Sequence, residues 1–186
     1  MGRIAVLSCS HYAWIESSRY MGENLANAIG EGTEMHVHTP VDKKGLIACL
    51  TDANYAIIHV HGTPERLIDQ RESKEYKLLT TIGGLKDFPE FPNLRLVIMT
   101  ACSTAGGVND KNIASELSKY IAKDGLVIAN RFDTYGACYD FGERYGKPGW
   151  VAYQNGKLVI TEDKFPARIT MADGYNTFIN YRKKLI

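Results

Sequence analysis

Two mostly apolar runs stand out in the hydrophobic pattern of the chain: Tyr55-Ala-Ile-Ile-His-Val-His61-Gly62 and Leu94-Arg-Leu-Val-Ile-Met-Thr-Ala101-Cys102. Neither shows a polar face, so each reads as a parallel strand buried on both sides, broken at its carboxyl end by glycine or small residues. Arg3 to Ser8 and Leu126 to Ala129 have the same character. Glu34 to Thr39 differs: Glu34, His36 and His38 alternate with Met35 and Val37, as in a half-exposed strand, and Pro40 closes it. Between these runs the spacing turns helical. Met21, Leu25, Ala28 and Ile29 predict a helix from about Ser17 to Ile29, stopped by Gly30. Asp42 is placed to cap a helix that buries Leu46, Ile47 and Leu50. Asn109 or Asp110 is placed to cap another, with Ile113, Leu117, Tyr120 and Ile121 on one face.

An edge-like second strand beside buried first, third and fourth strands fits a doubly wound α/β sheet, mostly parallel, of order 2-1-3-4 continued outward by the fifth strand. The expected architecture is a three-layer αβα sandwich of order 2-1-3-4-5. Thr63 to Asn93 holds the charged run Pro64 to Lys77, then Gly83-Gly84, Pro89 and Pro92, and reads as a crossover with an exposed loop. Asn130 to Gly149, rich in Gly, Tyr and Asp, carries no assignable pattern. Trp150 to Gln154 and Lys157 to Thr161 flank Asn155-Gly156, a strong hairpin signal. Thr170 with Asp173 forms a capping-box pattern for a last helix that buries Met171, Tyr175, Phe178 and Ile179. Residues 1–186 thus read as a single domain, with the C-terminal β-hairpin and helix of 149–186 appended to it.

With 186 residues, 45% of them hydrophobic and 23% charged, the chain is sized and composed for one well-cored globular domain. A formal net charge of +1 argues against nucleic acid or an anionic membrane as partner. No run approaches the roughly 18 apolar residues of a membrane span, and the apolar part of Met1 to Ser8 is too short for a signal peptide. Cys9, Cys49, Cys102 and Cys138 are widely spaced without a CxxC pair, which points to a reduced, cytoplasmic protein with neither a disulfide framework nor a zinc ribbon. No cofactor is expected.

The chemistry follows from the two buried runs. Strands three and four are neighbours in the expected order, about 4.8 Å apart, so His61 and Cys102 arrive side by side where their strands stop. A thiol needs an acceptor for its proton before it attacks a carbonyl, and an imidazole is the usual one. Gly62 lets its backbone amide approach a substrate closely, and with the Cys102 amide it forms a potential oxyanion hole. Two HxH pairs, His36-Val-His38 and His59-Val-His61, offer the alternative of a metal-dependent hydrolase.

Strand-His-Gly followed by strand-Ala-Cys, here Ile-His-Val-His61-Gly62 and Val-Ile-Met-Thr-Ala101-Cys102, resembles the caspase-fold cysteine peptidases, and the Thr-Ala-Cys-Ser-Thr wording is closest to bacterial CHAT domains. The resemblance runs from the first strand to the fifth. It implies a peptidase with His61 as general base, Cys102 as nucleophile and the Gly62 and Cys102 amides at the oxyanion, acting on a protein or peptide substrate and open to a regulatory partner. A catalytically silent caspase-like interaction module is the other form of the same reading. Ligands of open parallel sheets bind outside the carboxyl ends of the strands. Asp133, just past the fifth strand, is therefore expected to pair with an Arg or Lys before the cut bond, whereas Arg66 or Arg131 there would select aspartate. Cys9 is expected at most to line the substrate groove.

Overall fold

The computed structural model describes residues 2–136 and 140–186. Its elements follow in chain order: β1 (Gly2–Ser8), α1 (Tyr12–Ile29), β2 (Thr33–His38), α2 (Lys43–Thr51) and β3 (Tyr55–His59). Then come β4 (His61–Thr63), β5 (Arg66–Gln70), β6 (Tyr76–Thr81), β7 (Leu96–Met99), α3 (Ile113–Leu117) and β8 (Leu126–Asn130). The chain closes with β9 (Tyr135–Gly136), β10 (Phe141–Gly142), β11 (Trp150–Gln154), β12 (Lys157–Ile160), β13 (Arg168–Ile169) and α4 (Met171–Lys183).

A mixed seven-stranded sheet organises them in the order β12-β11-β8-β7-β3-β1-β2. β2, β1, β3, β7 and β8 run parallel, so the five strands read from the hydrophobic pattern lie in the spatial order 2-1-3-4-5. β11 is antiparallel to β8, and β12 to β11. Along each central strand alternate residues face opposite layers. Leu7, Ile58, Met99 and Ala129 face α2 and α3, joining Leu46, Leu50, Ile113 and Leu117. Val6, Ile57, Ile98 and Ile128 face α1 and α4, joining Met21, Leu25, Met171 and Phe178. Helices cover both faces, which is why these strands carry no polar side.

Local chemistry sets several ends. Asp42 Oδ1 accepts the Gly45 amide at 2.7 Å and starts α2, and Thr170 and Asp173 form a reciprocal capping box on α4. Asn155 and Gly156 have φ of 48° and 77°, the left-handed pair that the tight turn between β11 and β12 requires.

Four expectations are corrected. α1 starts at Tyr12 rather than near Ser17, because His11 caps it by accepting the Ala13 amide. α3 is capped by Asn112, whose side chain accepts the Ser115 amide, while Asn109 and Asp110 occupy a left-handed turn before it. The stretch expected as an exposed crossover loop instead builds a second, antiparallel sheet of β4, β5 and β6. The hairpin of β11 and β12 is no appendage: Trp150, Val151, Ala152 and Tyr153 are each fully buried as β11 extends the main sheet. Among the described residues no helix is long and apolar enough to cross a membrane.

Candidate active site

β7 ends at Met99 and the chain turns sharply through Thr100 to Ala105. Ser103, directly after Cys102, has φ of 53°, a left-handed conformation that costs a non-glycine residue about 1–2 kcal/mol. The turn is held by the loop that follows β8. The Ser103 amide donates to the Phe132 carbonyl and the Ala105 amide to the Asn130 carbonyl, each at 2.9 Å. Ser103 Oγ donates to Asp133 Oδ1 at 2.6 Å, and Thr104 Oγ1 donates back to the Ala101 carbonyl at 3.2 Å. A backbone held this way presents Cys102 at the carboxyl edge of the sheet, half-buried.

The Cys102 thiol points at Thr134, 3.7 Å from its carbonyl oxygen and 4.0 Å from its hydroxyl. Burial pushes this thiol above its ordinary value and the Asp133 charge adds to the effect, while hydrogen bonding from the Thr134 backbone and hydroxyl acts in the opposite direction. At neutral pH the sulfur is therefore a thiol in this arrangement, and it becomes a nucleophile only when a base takes its proton.

Two imidazoles stand at the end of the neighbouring strand. His59 is the last residue of β3, with Nδ1 2.7 Å from Thr100 Oγ1. Its ring packs 4.6 Å from Trp14 and 5.7 Å from Phe141, centroid to centroid. Burial, reinforced by His61, pulls it down to about 3, so it is neutral at physiological pH. His61 opens β4 and also lies 4.6 Å from Trp14, with Tyr76 at 5.5 Å on another side. Its Nε2 is 2.7 Å from Gln70 Oε1. With the amide oxygen as acceptor, Nε2 carries the proton and Nδ1 keeps the lone pair.

Gly62 links the two strand ends. A Cβ added to it would fall 2.8 Å from Ala101 Cβ and 2.9 Å from the Cys102 carbonyl oxygen, closer than real Cβ contacts come. Only a glycine lets the His61-Gly62 backbone rest on the cysteine turn.

The small sheet that carries His61 and Gln70 is fastened to the start of α1. Asp69, fully buried, accepts the Ser10 amide at 2.8 Å and the Ser10 hydroxyl at 2.7 Å, and Arg71 lies 3.8 Å from it. Cys9 belongs to the same fastening. Its thiol sits 3.7 Å from the Ile68 carbonyl oxygen and accepts the Gln70 amide at 3.3 Å. Cys9 is fully buried in the core, and burial pushes its thiol up to about 11. The expectation that it lines a substrate groove is corrected on that ground.

Trp14, Ser17, His59, Thr100, Thr134 and Phe141 line, with Cys102, a hollow of about 310 Å³ at this edge of the sheet. The imidazole that lines it is His59. Asp133 faces another hollow, with Glu143, Arg144 and Lys147, and Tyr135 lines both. Arg66 is exposed at a third, beside Thr81 and Gly83. Arg131 is engaged by two carboxylates, Asp110 at 3.0 Å and Glu162 at 2.6 Å. Neither arginine is therefore positioned in the Cys102 hollow to receive aspartate. Cys138, the remaining thiol, lies outside the described residues.

His36 and His38, 6.3 Å apart between ring centroids, border a separate hollow with Glu34, Cys49 and Asp52 at the far side of β1. Among the described residues no group of three or more His, Cys, Asp or Glu side chains is gathered as a metal-binding set. Gln70 and Thr134, which touch His61 and Cys102, carry no motif; the one legible cue was the position of Thr134 just beyond the fifth strand. No protein-family model matches the chain, and no curated protein matches it.

Proposed function

We propose that the chain is a cysteine peptidase of the caspase-like type, with Cys102 as nucleophile and His61 as general base. The observation that carries the reading is the seating of Gly62 on the Ala101-Cys102 turn, which joins a His-Gly strand end to an Ala-Cys strand end at one edge of a parallel sheet. The same juxtaposition is what the resemblance to caspase-fold peptidases implies. His61 is preferred to His59 because an imidazole pulled down to about 3 accepts a thiol proton poorly at neutral pH. Gln70, holding Nε2 of His61, acts as the positioning residue that leaves Nδ1 for the thiol. In the reaction the Cys102 proton passes to His61 as sulfur bonds to the carbonyl carbon. The amides of Gly62 and Cys102 receive the oxyanion, and the imidazolium returns the proton to the leaving amine. Water then hydrolyses the acyl-enzyme with His61 again as base.

Purified protein with a mixed-sequence fluorogenic peptide library tests this. Cys102→Ala abolishes hydrolysis, His61→Gln lowers kcat/KM by about 100-fold or more, and Gln70→Ala falls between that and wild type. His59→Gln, which leaves an uncharged polar side chain against the hollow, loses much less than His61→Gln. Full activity of Cys102→Ala, or a His59→Gln loss as large as that of His61→Gln, overturns the assignment. A second reading, a silent interaction module, is favoured by one observation: the Cys102 thiol lies against Thr134 and is held above its ordinary value. Absence of Cys102-dependent hydrolysis throughout the library decides for it.

A further inference from the structure

The hollow beside Cys102 differs in its electrostatics from the adjoining depression that Asp133 faces with Glu143, Arg144 and Lys147. Among the described residues that line it there is no carboxylate, ammonium or guanidinium group. Its walls are the Trp14 indole, the Phe141 ring and the His59 imidazole, with the hydroxyls of Ser17, Thr100 and Thr134 between them. Arg144 lies over the outer Tyr135 ring, 5.5 Å from its centroid, and three other charges nearby are committed elsewhere. Asp133 accepts the Ser103 hydroxyl and faces the adjoining hollow, Arg131 is held between Asp110 and Glu162, and Asp69 is closed over by Ser10.

Resting on the peptidase reading, we infer that this hollow receives the substrate side chain immediately before the cut bond and that it selects an uncharged one, amide or aromatic, over Arg, Lys, Asp or Glu. A charged side chain entering it would lose water and meet no counter-charge. A neutral amide meets hydroxyls and a neutral imidazole, and an aromatic ring meets Trp14 and Phe141. The volume of about 310 Å³ accommodates either. The neutrality of His59 is part of the device: burial holds the ring uncharged, so it offers no full charge to a carboxylate. The basic preference expected from Asp133 is replaced, because that carboxylate belongs to the neighbouring depression.

Peptidyl chloromethyl ketones identical except for the last residue, Gln, Phe, Arg or Asp, test the inference on the wild-type protein. Sulfur of Cys102 bonds to the methylene carbon as the C–Cl bond breaks, chloride leaves and the thiol proton passes to the base. The rate of modification at Cys102 is read by intact mass and peptide mapping, with chloroacetamide as the reference that lacks a side chain. The Gln and Phe probes modify Cys102 at least about tenfold faster than the Arg and Asp probes. Arg or Asp reacting as fast as Gln and Phe overturns the selectivity while leaving the peptidase reading standing. If no peptidyl probe outpaces chloroacetamide, the peptidase reading fails, and this inference with it. In Ser17→Asp, which plants a carboxylate in the hollow, the Arg probe rises to at least parity with Gln. A folded Ser17→Asp protein, with unchanged circular dichroism, that keeps the wild-type order overturns the placement of the side chain.

Discussion

His59 and His61 are two residues apart and touch the same indole, yet their surroundings give them different chemistry. His59 is enclosed by Trp14, Phe141 and Thr100, and burial lowers it from 6.5 to about 3. Below pH 6.5 the unfolded chain therefore binds a proton that the folded chain refuses until about pH 3. The stability this group contributes is complete above 6.5 and is lost as the pH falls through that window. Wild-type protein accordingly loses unfolding free energy between pH 7 and pH 4.5 faster than His59→Gln, with a ceiling of about 1.4 kcal/mol per pH unit for one proton. The part of the ring open to the hollow keeps the difference below that ceiling. Urea titrations at several pH values measure it, and parallel curves for the two proteins would show that His59 charges freely in the folded state.

At the scale of elements, the small antiparallel sheet of β4, β5 and β6 makes His61 usable, because it carries Gln70 and is fastened at Asp69. Asp69→Ala leaves the Ser10 amide without its acceptor and removes two hydrogen bonds to a buried carboxylate, a cost of about 2–3 kcal/mol. Hydrolysis falls with stability, since His61 and Gln70 lose their fixed platform, and the alkylation rate of Cys102 falls with it because the thiol loses the base that takes its proton. Denaturation midpoints, turnover and iodoacetamide labelling on one preparation check this; a Cys102 labelling rate that stays at the wild-type level while turnover falls contradicts His61 as the base. The sheet was not legible in the sequence for a physical reason. Its buried face carries Asp69 beside Leu67, so a charge sits where alternation requires an apolar residue, and a bulge at Leu67/Ile68 breaks the register with β6. The inner parallel strands β1, β3, β7 and β8, in contrast, were legible because helices cover both their faces, and β2 was legible by its alternation.

For the whole molecule, the C-terminal strands complete the core. β11 closes the edge of β8 from Trp150↔Asn130 to Tyr153↔Val127, and the Tyr153 hydroxyl donates to Asp110 at 2.9 Å, on the carboxylate that also holds Arg131. Truncation after Gly149 removes the buried Trp150 and Tyr153 together with α4. Loss of large buried side chains costs about 3–5 kcal/mol each, against a typical total stability of about 5–15 kcal/mol. The truncated chain shows no cooperative thermal transition by circular dichroism, and a sharp transition near that of the full chain would return the hairpin to the status of an appendage.

What the sequence determined by itself was local or periodic. Burial on both faces marked the parallel strands, the alternation of Glu34 to His38 marked the edge, Asp42 and Thr170 marked helix starts, and Asn155-Gly156 marked a turn. Each depends on neighbours along the chain and on backbone preferences that act over a few residues. Tertiary structure decided which imidazole faces the Cys102 hollow, that Cys9 is core rather than groove, that Arg131 is spent on two carboxylates, and that the hollow beside Cys102 is uncharged. These are questions of solvation and pairing. Burial by distant elements and the partners they bring determine them, and neither quantity is carried by spacing along the chain.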